Sequence, residues 1–138
     1  MRLWHYKLIP YLPKSQLLAQ WRELNSIFKK QDKHILINYI YEYPQEDLYK
    51  YSYIVLNELE KWFISVKSMS KFFDYFSDVF DVDWFKNPFL NHHNDRYLLQ
   101  CFYNLQEKYD RGQKDFTEEN YEKLEEFIKN ETSNRDWS

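Results

Sequence analysis

Hydrophobic positions recur along most of this chain in steps of three and four, the period of an α-helix lying on a core. Leu17, Leu18, Trp21, Leu24 and Phe28 form one such stripe and predict a helix from about Lys14 to Lys30. Leu48, Tyr51, Val55, Leu59, Trp62 and Val66 form a second, beginning after Pro44. Apolar residues off that stripe (Tyr53, Ile54, Leu56, Phe63) predict a helix covered on more than one side. Ser70 to Phe80 reads as a short aromatic helix, and residues 81–93, with Pro88, as a loop. A further helix from Asn94 or Asp95 to Arg111 carries Leu98, Cys101, Phe102 and Leu105, with Gly112 where a C-terminal cap belongs. Thr117 caps a last, acidic helix with Tyr121, Leu124, Phe127 and Ile128 on one face and Glu118 and Glu119 near its positive end. Two stretches break the period. Met1 to Pro13 is aromatic and twice interrupted by proline, and reads as an extended segment laid over the core; Ile35 to Tyr41 has a weak strand character. The fold class expected is all-α, a single compact helical domain.

Composition narrows the chemistry. The 138 residues include one glycine, where average usage gives about ten. Gly112 alone builds neither a phosphate-cradling loop nor a dinucleotide fingerprint nor a set of tight hairpins. The single cysteine, Cys101, has no partner for an intramolecular disulfide. No apolar run approaches the roughly 18 residues of a membrane span, and the first residues lack the apolar core of a signal peptide. A soluble, cytoplasmic protein is expected, without a membrane partner.

Charge is divided along the chain. The net charge of −3 resolves into +4 over residues 1–72 and −7 over residues 73–138, with +5 on the first 34. Any polyanion would meet the N-terminal part. Chance plus an acidic terminal helix accounts for the same numbers.

The first helix has an unusual polar face. At about 100° per residue, the side opposite the apolar stripe holds Ala19, Arg22, Glu23, Ser26, Lys29 and Lys30, and Lys33 if the helix reaches it. Glu23 is the one acid among these cations. Its neighbours at three and four residues are Gln20, Ser26, Ala19 and Ile27, none of which forms an ion pair with it. An ordinary solvated glutamate is one reading of this position; a functional acid is the other.

The run Gln16-Leu17-Leu18-Ala19-Gln20-Trp21-Arg22-Glu23-Leu24, then Phe28 and Lys33-His34, resembles the first helix of pyrimidine-dimer DNA glycosylases of the phage endonuclease V type. The start Met1-Arg2-Leu3-Trp4-His5 and the stretch His92-His93-Asn94-Asp95, Tyr97-Leu98, Cys101, Asn104-Leu105 and Lys108 resemble the bacterial branch of that family. The resemblance covers roughly residues 1–110 with gaps and is strongest over residues 1–34. It implies a glycosylase and abasic-site lyase domain over residues 1–112, with residues 113–138 an acidic C-terminal helix packed on it or appended.

In such enzymes an N-terminal α-amine attacks the sugar C1′ and forms an imine, which permits β-elimination and strand cleavage. An α-amine with a pKa of about 7.7–8.0 keeps a useful neutral fraction at neutral pH, whereas lysine near 10.4 is almost wholly charged. A carboxylate assists proton transfer or stabilises the developing cation. Carried onto this chain, the resemblance implies the α-amine of Met1 as nucleophile and Glu23 as the catalytic acid. Arginine at position 2 is too bulky for ordinary methionine trimming, so Met1 is retained and Arg2 follows the nucleophile directly. Arg2 and Arg22 match residues that hold the lesion strand, and Lys33 and His34 the basic end of the same surface; Lys29 and Lys30 join them as DNA-binding candidates. No cofactor or metal is implied. The partner implied is damaged double-stranded DNA, bound by a monomer. Three features depart from the family: Ser26 stands in place of a helix arginine, Gln16 in place of a helix histidine, and an acidic stretch in place of a basic aromatic tail. Each lost phosphate contact weakens binding and its salt dependence.

Other constellations are plainer. His5 lies near the proposed nucleophile and has an auxiliary relay role, packs near the N-terminus or binds a phosphate. His92 and His93 point apart as sequence neighbours and read as loop residues beside an Asn94 or Asp95 cap. Cys101 sits in an apolar stripe and reads as a buried thiol. Trp4, Tyr6, Tyr39, Tyr41 and Tyr43 are stacking candidates for flipped bases in a chain with 5 Trp, 13 Tyr and 11 Phe, most of which must be core. Two rival readings remain: a non-catalytic nucleic-acid-binding relative that keeps the basic surface, and a helical protein-interaction module whose acidic helix meets a partner or folds over that surface.

Overall fold

In the computed structural model of the chain, residues 2–133 are described, and among them there is no strand. Five α-helices follow one another: α1 (Lys14–Lys30), α2 (Gln45–Lys61), α3 (Ser70–Tyr75), α4 (Asp95–Asp110) and α5 (Glu118–Thr132). Two 3₁₀ turns, Tyr6–Tyr11 and Asn38–Glu42, occupy the aperiodic stretches. No helix among the described residues is long and apolar enough to cross a membrane.

The all-α expectation holds, with local differences. The N-terminal segment is extended only to His5 and then coils into a 3₁₀ turn around Pro10. It does not lie over the core but forms part of it: Leu3, Leu8 and Ile9 are fully buried, and the turn packs against α2, α4 and α5. The weak strand signal at Ile35–Tyr41 reflects burial of Ile37, Tyr39 and Ile40 on a 3₁₀ turn rather than pairing with another strand. α2 stops at Lys61, so Trp62 and Val66 continue its stripe only in sequence.

The helix ends follow local chemistry. Pro13 and Pro44 precede α1 and α2, where their fixed φ suits the entry and their missing N–H costs nothing. Asn94 caps α4 by accepting from the Tyr97 N–H, and Thr117 caps α5 by accepting from the Asn120 N–H. α4 closes with a Schellman motif: Gly112, at φ +83°, donates to the Tyr109 carbonyl and Gln113 to the Lys108 carbonyl. α2 closes with the same motif built on a non-glycine residue. Phe63, at φ 57°, donates to the Glu60 carbonyl and Ile64 to the Leu59 carbonyl.

α1 packs on α2 and α3, burying Leu17, Leu24, Ile27 and Phe28. Phe28 meets Phe72, Tyr75 and Phe76 of the α3 region ring to ring at 5.2–5.8 Å. α5 packs on α4 and the first 3₁₀ turn, through Tyr121 stacked on Tyr109 at 4.1 Å and Phe127 on Tyr11 at 4.7 Å. The loop entering α5 also reaches α1. Asp115 accepts from the backbone N–H of Ser15 at 2.7 Å and from its hydroxyl at 2.9 Å, capping the start of α1 from 100 residues away.

Candidate active site

The geometry around Glu23 begins with a buried glutamine. Gln20 is 1% exposed, and its side-chain amide uses all of its bonding positions. The oxygen accepts from the Trp4 backbone N–H at 2.8 Å and from the Tyr51 hydroxyl at 2.9 Å. The nitrogen donates to the Arg2 carbonyl at 3.1 Å and to the Glu23 carboxylate at 2.9 Å. One side chain thus holds a carbonyl and an N–H on one edge of the extended segment Arg2–Trp4 and binds the acid one helical turn further on. Tyr51, fully buried on α2, shares its one hydroxyl proton between the Gln20 oxygen and the Trp4 carbonyl, which lies 2.7 Å away.

Glu23 is half-buried. Burial lifts its carboxyl above the ordinary glutamate value, against the opposing pull of the amino-terminal positive charge, a hydrogen bond from the Arg2 amide, the Arg22 guanidinium and the Gln20 amide. Its neighbourhood is therefore not that of a solvated surface glutamate. Met1 lies outside the described residues. Arg2, the next residue, directs its guanidinium over the Tyr97 ring, 5.8 Å from the centroid.

Behind the segment lies a cluster of histidines and tyrosines. His5 donates through Nε2 to the His93 carbonyl at 2.9 Å, and its Nδ1 accepts from the Lys7 N–H at 3.1 Å. Both ring nitrogens are committed, the ring is 1% exposed, and burial lowers its pKa to about 4. The site holds His5 as a neutral structural ring; the packing alternative describes it, and no free nitrogen is left for a relay. His93 accepts from the Tyr6 N–H at 3.1 Å through Nδ1, so its Nε2–H faces the Tyr39 hydroxyl at 2.7 Å. Tyr97 donates in turn to the Leu3 carbonyl. Among the described residues no group of three His, Cys, Asp or Glu is arranged to hold a metal ion. Cys101 is fully buried, and burial raises its thiol pKa.

The remaining candidates divide between two places. Arg22, Lys29 and Lys30 are exposed and line a groove of about 670 Å³ beside α1, together with Ser26. The Ser26 hydroxyl donates to the Asp32 carboxylate. α1 ends at Lys30, because Gln31 turns left-handed at φ 51°. Lys33 therefore leaves the helix face on which continued periodicity would place it; it is exposed in the connection that follows. His34 is also exposed and starts the next turn, accepting from the Leu36 N–H through Nδ1. Gln16 bonds Gln113 at 3.2 Å, beside the Asp115 cap. Of the stacking candidates, Trp4 and Tyr39 are core residues, the Tyr41 hydroxyl bonds the Asp32 carbonyl, and the Tyr43 hydroxyl accepts from the His92 N–H. α5 lines no part of the groove, so the acidic helix does not fold over the basic face.

Sequence reasoning passed over Gln20 and Tyr51. Gln20 stands four residues before Leu24 and three after Leu17, on the buried side of α1, so a polar residue there signals an internal partner.

A family model described as pyrimidine dimer DNA glycosylase matches residues 1–67. These residues contain α1, α2, the extended segment, Gln20, Glu23 and Tyr51. No curated protein and no solved structure matches the chain.

Proposed function

We propose that this chain, whose first 67 residues carry the pyrimidine dimer DNA glycosylase match, is a DNA repair glycosylase with abasic-site lyase activity. Its nucleophile is the α-amine of Met1 and its acid is Glu23. The single observation that carries this reading is the Gln20 bridge, which ties the backbone next to the amino terminus to the Glu23 carboxylate. The α-amine is one residue from the Arg2 amide that bonds Glu23, and a single residue spans no more than about 3.8 Å. This connectivity supports a reading in which amine and carboxylate act on one sugar.

The chemistry follows from that pairing. The neutral amine attacks C1′ of the damaged nucleotide, and the C1′–N bond to the base breaks. The departing base takes the proton that the nitrogen loses, and the sugar ring then opens, its O4′ taking a proton from solvent, to give a protonated imine. Glu23, as carboxylate, stabilises the cationic character of C1′. It then accepts a proton from C2′, and the electron pair left behind expels the 3′ phosphate by β-elimination. Its raised pKa brings the carboxylate closer to the range in which it exchanges protons at neutral pH. Arg22 stands beside Glu23 and, with Lys29 and Lys30, offers the strand its phosphate contacts. Arg2, Lys33 and His34, which lie outside that groove, are further DNA contacts, and residues 1–112 form the reacting unit.

Borohydride reduces an imine to a stable amine. Incubation with abasic duplex DNA and borohydride should yield a covalent adduct, with the DNA on the N-terminal peptide. An untagged chain with a free amine that yields no adduct would overturn this reading.

A further inference from the structure

The groove beside α1 has a second wall that no sequence motif marks. It is formed by the segment after α2 and the start of α3, and it carries Lys67 and Lys71 opposite Arg22, Lys29 and Lys30. Five cations and no carboxylate line a groove in a chain whose net charge is −3. Its floor is apolar, with Trp21, Leu59 and Ile64. Cationic rims over an apolar floor suit an occupant with charged edges and an apolar body. A nucleic-acid strand has that character, with phosphates outside and deoxyribose and base faces inside.

We infer that this groove is the track for the DNA backbone flanking the reacting nucleotide, with Lys67 and Lys71 as phosphate contacts on the wall facing α1. The inference rests on the reading above for the identity of the polyanion. Arg22 joins the two sites: it acts on the Glu23 carboxyl and lines the groove. Lys67 and Lys71 supply, from a different element, positive charge on the surface where Ser26 bonds an aspartate instead of offering a guanidinium. A phosphate track on this wall also requires no basic tail at the far end of the chain, where α5 is acidic and packed elsewhere.

Both lysines are exposed, so replacing them leaves the packing intact. The test is equilibrium binding of a short duplex carrying a non-cleavable abasic analogue, measured over a series of salt concentrations. The wild-type chain, the double variant Lys67→Gln/Lys71→Gln and Lys129→Gln on exposed α5 are compared, each with its thermal midpoint recorded. Each phosphate contact contributes about 0.9 to the slope of log affinity against log salt, so the double variant should lose about 1.8. Between about 50 and about 200 mM salt its affinity should then fall by roughly tenfold less than that of the wild type. Lys129→Gln should retain the wild-type slope. A double variant with the wild-type slope would overturn the track, as would tighter binding of single-stranded RNA than of the duplex. The two readings separate cleanly: duplex binding without a borohydride adduct removes the reaction and leaves the groove. An adduct with no slope change removes the groove and leaves the reaction.

Discussion

At the scale of single residues, the site combines one strained electrostatic position with one fully satisfied amide. Glu23 carries a pKa raised by burial, so the folded chain binds its proton more tightly than the unfolded chain does. Such a group lowers stability at pH values above its unfolded pKa. Glu23→Gln should therefore raise the thermal midpoint at neutral pH while slowing imine formation by about 10²–10⁴-fold. A variant that is less stable and fully active would contradict both assignments. Gln20 acts through its neighbours and is a positioning residue. Gln20→Leu removes a donor that lowers the Glu23 pKa, so carboxyl titration followed by NMR should shift further upward. It also leaves the buried Trp4 N–H without its acceptor, while the Tyr51 hydroxyl keeps the Trp4 carbonyl, at a cost of about 2 kcal/mol in unfolding free energy. Gln20→Glu, which keeps acceptors but loses the donors to Arg2 and Glu23, should leave the Trp4 bond and still shift the titration.

At the scale of elements, most of the fold was legible because helices announce themselves by period and by caps. α1 is bounded as its stripe and flanking proline require, and Asn94, Gly112 and Thr117 act as their residue types prescribe. The aperiodic N-terminal segment was not legible, since burial on a 3₁₀ turn leaves neither a period of two nor one of 3.6. The condition under which Lys33 would join the α1 face is not met: the left-handed Gln31 ends α1 at Lys30, as its stripe predicts, without glycine or proline to mark the stop. The scarcity of glycine leaves a similar trace at Phe63, which holds a left-handed cap while 96% exposed. That conformation costs a non-glycine residue roughly 1–2 kcal/mol. Phe63→Gly loses little packing and should stabilise the chain by roughly 0.5–1 kcal/mol, visible as a higher denaturation midpoint with an unchanged slope.

At the scale of the whole molecule, the division of charge acquires a structural reason. Part of the acidic half serves the basic half: Asp115 caps α1, and Glu131 pairs with Lys7 at 2.9 Å. The groove cations are left uncovered. The buried histidines set the acid limit of the fold. Burial lowers His5 to about 4 and His93 to about 2, below the ordinary value near 6.5. The unfolded chain therefore takes up protons first, and stability present above about pH 6.5 is lost as pH falls toward 4 and below. The thermal midpoint should drop steadily on acidification from about pH 7 to about pH 5. His93→Gln, which keeps an acceptor for the Tyr6 N–H, should show a shallower drop over that interval.

The tie that Gln20 makes between the Arg2 backbone and Glu23 was only partly legible in the sequence. The resemblance implies the Met1 amine and Glu23 as reacting groups, and the structure adds the amide that joins the Arg2 backbone to the Glu23 carboxylate. The most direct measurement is borohydride trapping on abasic duplex DNA by the untagged chain, with its free N-terminus verified by mass spectrometry. The imine mechanism predicts an adduct at the α-amine of Met1, slowed severalfold or more by Gln20→Leu and lost when that amine is acetylated. An adduct that survives acetylation and maps to a lysine, or no adduct at all, would contradict it.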